Sequence, residues 1–232
     1  MTFIIAIQLN DSIVVTADSK KIVLKESEKI QFSLEKTQKI YSWNKGIITG
    51  TGEDYVIKRS IEFFKKIAHS DLNALPQCLD ISRQLRELEI GKDYFQVENT
   101  KLLCSSYSER GAQLYTIQRF EPSQPYKIMA AKTMDIIVWL FHPNIDAISI
   151  DLQNLYADLK DYVAFTNKTD WINYYINRLA PIYHKQSQQD PLMSQSFDFF
   201  FQTKDEYITG YIPNTNNVAL KIQEIFTELD SI

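Results

Sequence analysis

The sequence predicts an α+β fold in which helices pack on antiparallel sheets, and three observations carry that prediction. Strand-like and helix-like segments come in runs: strands, two helices, strands, helices, then strands again, the segregation that marks α+β layering. Hydrophobic residues make up 44% of the 232, enough for a substantial core, and the 23% charged residues are ordinary for a hydrated surface. No repeat, low-complexity stretch or linker interrupts the chain, so residues 1–232 are read as one domain.

Each element has its own signal. Phe3 to Leu9 is a continuous apolar run that reads as a buried strand; Asn10-Asp11 supplies a turn, and Ser12 to Thr16 is a second β-branched run, making a tight hairpin. Lys20 to Glu35 is charged but interrupted by Ile22, Val23, Leu24, Ile30 and Phe32, a second hairpin or long loop returning through Lys39-Ile40-Tyr41. Gly46 to Gly50 is a short strand. From Asp54 the apolar residues Val56, Ile57, Ile61, Phe64 and Ile67 recur at helical spacing, and Pro76 opens a second helix stopped near Gly91. Strands are expected at Lys101–Tyr107, Gln113–Arg119 and Tyr126–Ala131.

From about Met134 to Lys185 the chain is read as mostly helical, with Trp139 and Trp171 among its core contacts and Pro181 kinking or ending the last helix. Phe197–Gln202 and Glu206–Ile212 form a closing hairpin, and residues 217–232 a tail helix.

Charge and composition exclude several classes. A net charge of −4 with no dense Lys/Arg run disfavours a nucleic-acid partner held by phosphate contacts. The longest apolar runs are far short of the ~20 residues of a membrane span, so a cytoplasmic protein without a membrane partner is expected. Cys78 and Cys104 sit among apolar neighbours and read as reduced core residues. His69, His142 and His184 are widely separated, no phosphate-binding glycine loop is present, and Gly50–Gly52 is too short to count as one; neither a metal nor a cofactor is expected.

The opening "TFIIAIQLNDSIVVTADSK" resembles the first hairpin of proteasome β-type subunits and HslV-like peptidases. In that family a threonine starts the mature chain, a strand runs out and back, and an acid follows sixteen positions later, as Asp18 follows Thr2 here. Lys39-Ile40-Tyr41 is similar to the segment carrying the family's catalytic lysine, with a longer loop before it. "IITGTGEDYVI" places Gly50 at the glycine whose N–H forms the oxyanion hole. The resemblance implies a four-layer αββα sandwich of antiparallel sheets flanked by helices, the N-terminal-nucleophile (Ntn) hydrolase fold, with 147–165 a helical insertion and the chain a divergent bacterial-type member.

That resemblance also implies a chemistry. A threonine hydroxyl needs a base, and a free N-terminal amine serves; Lys39 would lower the amine's pKa and Asp18 would hold the lysine. Where the family carries a Gly-Ser-Gly element, residues Met129 to Met134 have neither glycine nor serine, so that a lysine, Lys132, stands at the serine position. The family's second acid and serine are matched by Asp190, but Met193 lies three residues on and Ser194 one later. Two functions follow. One is a peptide- or amide-cleaving Ntn hydrolase that self-associates as its relatives do, with Thr2 freed by methionine aminopeptidase and no propeptide. The other is a catalytically silent protein of that fold acting as a binding or assembly partner, of the α-subunit or toxin-neutralising kind.

Overall fold

The computed structural model describes residues 2–24, 30–92, 94–140 and 144–213. Strands β1 (Ile4–Gln8) and β2 (Ile13–Asp18) form the expected hairpin, with Ile4 opposite Ala17 and Gln8 opposite Ile13. The Leu9 N–H donates to the Ser12 carbonyl at 2.9 Å and closes the turn. Every residue of both strands is buried. Their unbroken apolar runs have a physical reason: Ile5, Ile7 and Val14 pack into one core, whereas Ile4, Ala6, Ile13, Val15 and Ala17 pack into another. A strand covered on both faces has no position left for a polar side chain to reach water.

After the two-stranded ribbon of β3 (Lys20–Leu24) and β4 (Ile30–Lys36) come β5 (Tyr41–Trp43) and β6 (Gly46–Thr51). Helix α1 (Asp54–Lys66) starts at Glu53, whose carboxylate accepts from the Val56 N–H at 2.9 Å. Helix α2 (Leu75–Ile90) has Pro76 in its first turn, where the missing N–H costs nothing, and ends at Gly91 as the sequence suggests. The short α3 (Phe95–Glu98) leads to β7 (Lys101–Ser108), β8 (Gly111–Gln118) and β9 (Lys127–Ala130). Strand β10 (Asp135–Trp139), helices α4 (Ser149–Ala157) and α5 (Lys168–Gln189), and the hairpin of β11 (Phe197–Gln202) with β12 (Tyr207–Ile212) complete the chain.

The architecture is α+β, with two five-stranded antiparallel sheets and flanking helices, compatible with a sandwich. One sheet has the order β10-β1-β2-β11-β12 and the other β5-β6-β7-β8-β9. Ile47, Leu103, Ala112 and Leu114 of the second sheet share a core with the inward residues of β1 and β2. The outer face of the first sheet packs on α5 through Trp171, Tyr175, Ile176, Leu179 and Tyr183. The outer face of the second packs on α1 and α2 through Val56, Ile61, Phe64, Leu75 and Leu79. Gly111 joins the two sheets at one end. It has φ +110°, a Cβ there would lie 2.8 Å from the Asp11 carbonyl oxygen, and the Ala112 N–H donates to that same oxygen at 3.1 Å.

Two expectations need correction. Trp139 is not helical: Asp135-Ile-Ile-Val-Trp139 is β10, paired with β1 so that Trp139 faces Ile4. Its β-branched run favours the extended backbone, and the free edge of β1 supplies the partner. Helix α5 runs through Pro181 and ends at Gln189 instead of near Lys185. Tertiary burial of the flanking Ala180, Ile182 and Tyr183 outweighs the lost hydrogen bond. Within 147–165 the described structure is α4 with a 3₁₀ turn on either side. The expected tail helix at 217–232 lies outside the described residues. Among the described residues, no helix is long and apolar enough to cross a membrane.

Candidate active site

The site grows from the open end of the first hairpin. Asp18 is the last residue of β2 and 1% exposed, and its carboxylate is surrounded by donors. Oδ1 accepts from the Phe3 N–H and from Lys39 Nζ, both at 2.8 Å, and Oδ2 accepts from the Lys20 N–H at 3.2 Å. The Asp18 N–H in turn donates to the Phe3 carbonyl at 3.0 Å. One side chain therefore holds both the backbone next to Thr2 and the buried ammonium of Lys39, itself only 8% exposed. A buried carboxylate needs such a partner, and the pair satisfies each other's charge.

Gly50 lies in β6 facing α1. A Cβ there would sit 2.7 Å from the Lys101 carbonyl oxygen and 2.8 Å from Leu102 Cδ2, so no other residue fits. In the β5–β6 register Tyr41 opposes Ile48, and on the other side of β6 Gly50 pairs with Leu102 of β7. Thr2, 8% exposed, shares with Asp18 and Asp190 the wall of a cavity of about 10 Å³, the room of a single water. Leu140, Leu192 and Met193 complete that wall.

Asp190 caps the end of α5, and its Oδ1 accepts from the Leu192 N–H at 2.9 Å. Ser194 is one step removed from the cavity. Its Oγ accepts from the Ser19 N–H at 3.0 Å and donates to the Ser196 carbonyl at 2.6 Å, fastening the chain just after Asp18. The structure thus brings Thr2, Asp18, Lys39 and Asp190 together. Ser194 supports them through Ser19, and Gly50 lies in β6, the strand paired with the segment that follows Lys39.

The segment read against the Gly-Ser-Gly element lies elsewhere. Met129 and Ala130 belong to β9, the edge of the second sheet, which pairs with β8 and not with β1. It is β10 that reaches the Thr2 end, through Trp139 and Leu140. The cause of the misplacement is the helical reading of Met134 onward, which hid one strand.

Several contributors carry no sequence signal at all. Tyr183 is buried beneath the hairpin, packs against Phe3 with tilted rings whose centroids lie 4.8 Å apart, and donates to Thr16 Oγ1 at 3.1 Å. Burial holds its phenol far above the ordinary range for tyrosine. Ser19 and Ser196 meet at 2.6 Å. Lys101 at the start of β7 places Nζ 4.6 Å from the centre of the Trp139 ring, and burial pushes its ammonium pKa down.

The fold can be compared with solved structures. The chain shares its fold with Anbu proteins. An Anbu (Gly-1) mutant from Hyphomicrobium sp. strain MC1 matches with a TM-score of 0.60 and 10% identity over 91% of this chain and 88% of that one. The Anbu complex from Pseudomonas aeruginosa, solved as a helical assembly, matches with a TM-score of 0.65 and 9% identity over 90% and 86%. A second crystal form of the Hyphomicrobium protein gives 0.58 and 9% over 90% and 87%. No protein-family model and no curated protein sequence matches. These findings correct the family drawn from the N-terminal motif: the structural relatives are Anbu chains rather than proteasome β-type subunits or HslV-like peptidases, and identity this low shows fold alone.

Proposed function

We propose that the chain is a self-associating N-terminal-threonine hydrolase of amide or peptide bonds, built as a single Ntn-type αββα domain. The carrying observation is the buried Asp18–Lys39 pair, tied through Asp18 Oδ1 to the backbone of Phe3 beside Thr2. Removal of Met1 by methionine aminopeptidase frees the Thr2 amine. That amine takes the proton from Thr2 Oγ1 as the oxygen attacks the substrate carbonyl carbon. Lys39 keeps the amine in its basic form by repelling a second positive charge, and the Gly50 N–H stabilises the oxyanion, a contact worth about 3 kcal/mol in comparable sites. The tetrahedral species collapses, the leaving amine departs with the proton, and water hydrolyses the Thr2 ester. Asp190 and Ser194 hold the far wall of the site. Self-association is supported by the helical assembly of the Anbu complex from Pseudomonas aeruginosa. Two buried free thiols accord with the cytoplasm.

A second reading, a catalytically silent binding or assembly protein, is favoured by one observation: Thr2 is buried beside space for a single water. Intact mass of the protein made in its own host, together with labelling by an epoxyketone probe, separates the two. Loss of Met1 with a Thr2 adduct that Thr2→Ala abolishes supports the hydrolase. Full retention of Met1 with no labelling establishes the silent reading.

A further inference from the structure

We propose that Lys101 and the cavity beside it form a subsite for a negatively charged group of the substrate, so that the protein prefers acidic peptides; the proposal rests on the hydrolase reading for its substrate class. In the two sheets, β10, β2 and β7 all present their Thr2-proximal ends on one side. Trp139 opposes Ile4, two residues from Thr2, and carries the Lys101 ammonium on its ring at 4.6 Å. At ~3.3 Å per strand residue and ~4.8 Å between strands, this puts the ammonium on the order of 10 Å from Thr2, the span of two or three extended residues.

Among the described basic groups of this region, Lys101 has its capacity for an anion still open. Asp18 and Lys39 are paired, and Asp190 is engaged by the Leu192 N–H. Among the described residues no hydrogen bond or ion pair engages Lys101 Nζ, although burial already disfavours its charge. An ammonium held half-buried on an aromatic face without an anion gains most from a carboxylate that arrives with the ligand.

The space for that group is present. Lys101 helps line a cavity of about 210 Å³ together with Thr51, Gly52, Gln96, Asn99 and Gln118. Thr51, Gln96 and Gln118 offer a hydroxyl and two amides that can orient a carboxylate, while the Asn99 amide also donates to the Phe95 carbonyl at 2.9 Å. Arg119 also lines the cavity, but its guanidinium is committed to the carbonyls of Glu98 and Pro122, at 3.0 and 2.7 Å. Glu98 and Glu121 are the acids of the wall, and Glu121 is exposed to solvent.

The test uses the full chain carrying Thr2→Ala, so that binding is read without turnover. Fluorescein-labelled hexapeptides with one Glu walked along the sequence are compared with the same set carrying Gln, by fluorescence anisotropy. The expected result is binding about tenfold tighter for Glu at one or two positions, weakened by salt, lost in Lys101→Gln and kept in Lys101→Arg. Equal binding of both sets, binding of neither, or a Glu preference that survives Lys101→Gln overturns the proposal. Hydrolysis by the wild type without Glu preference leaves the hydrolase standing and removes this subsite. Charge-selective binding without hydrolysis does the reverse.

Discussion

The Asp18 carboxylate gathers three donors from three different segments: Phe3 just before β1, Lys20 at the start of β3 and Lys39 two residues before β5. Two of them share one oxygen. Such a node is easily broken from one side. Lys39→Met leaves the carboxylate 1% exposed with no counter-charge, and is expected to destabilise the fold by about 3–5 kcal/mol, read as a lower urea midpoint. The sequence made Thr2 and Asp18 legible because each is a chemically distinctive type at a fixed interval along one hairpin, and Lys39 because it precedes an aliphatic-aromatic pair. It could not show Tyr183 or Ser19, since a buried phenol and a serine are ordinary residues until a neighbour from another element meets them.

Titration at this scale has a definite sign. Tyr183 and Cys104 have folded-state pKa values far above their ordinary ranges because burial disfavours the charged form, and Tyr126 is pushed up to about 12. In the unfolded chain these groups release protons near pH 9 to 10, so the unfolded state then binds fewer protons than the folded one. Their contribution is fully present below pH 9 and is lost as pH rises beyond it. Urea midpoints are expected to hold steady up to about pH 9 and fall above it, and Tyr183→Phe flattens that fall.

Among the elements, those with one strong local pattern were readable. Helix α1 is amphipathic with an acidic cap, α2 has proline at its start and glycine past its end, and β1 and β2 are unbroken apolar runs. Strand β10 was not, because it is only five residues long and the pairing that defines it comes from β1, more than a hundred residues away. The turn from β6 into α1 offers a test. Gly52 has φ +119°, and a Cβ there would lie 2.5 Å from the Thr100 Cα. Gly52→Ala is expected to cost about 1–3 kcal/mol in backbone strain alone, measured by chemical denaturation, since the contact is with main chain that has no room to yield.

For the whole molecule, composition and element order were sufficient for α+β and for helices against antiparallel sheets. The strand orders were not, because hydrophobic runs say which segments are covered on both faces and nothing about which neighbour covers them. The family drawn from the hairpin motif failed for a related reason: a short stretch can match in spacing while the full chain aligns with structures of another kind. Assembly is the property to measure at this scale. Sedimentation velocity at micromolar concentration is expected to show a species well above the 27.1 kDa chain. A monomer across the accessible concentration range would count against self-association.

The hydrogen bond from the Phe3 amide to Asp18 also governs how the amino end can be processed. An exopeptidase needs slack chain to draw residues one by one into its own pocket. Here Phe3 offers none, because it is tethered by its amide, by its carbonyl and by its ring against Tyr183. Removal of residues beyond Thr2 would have to break all three of these holds.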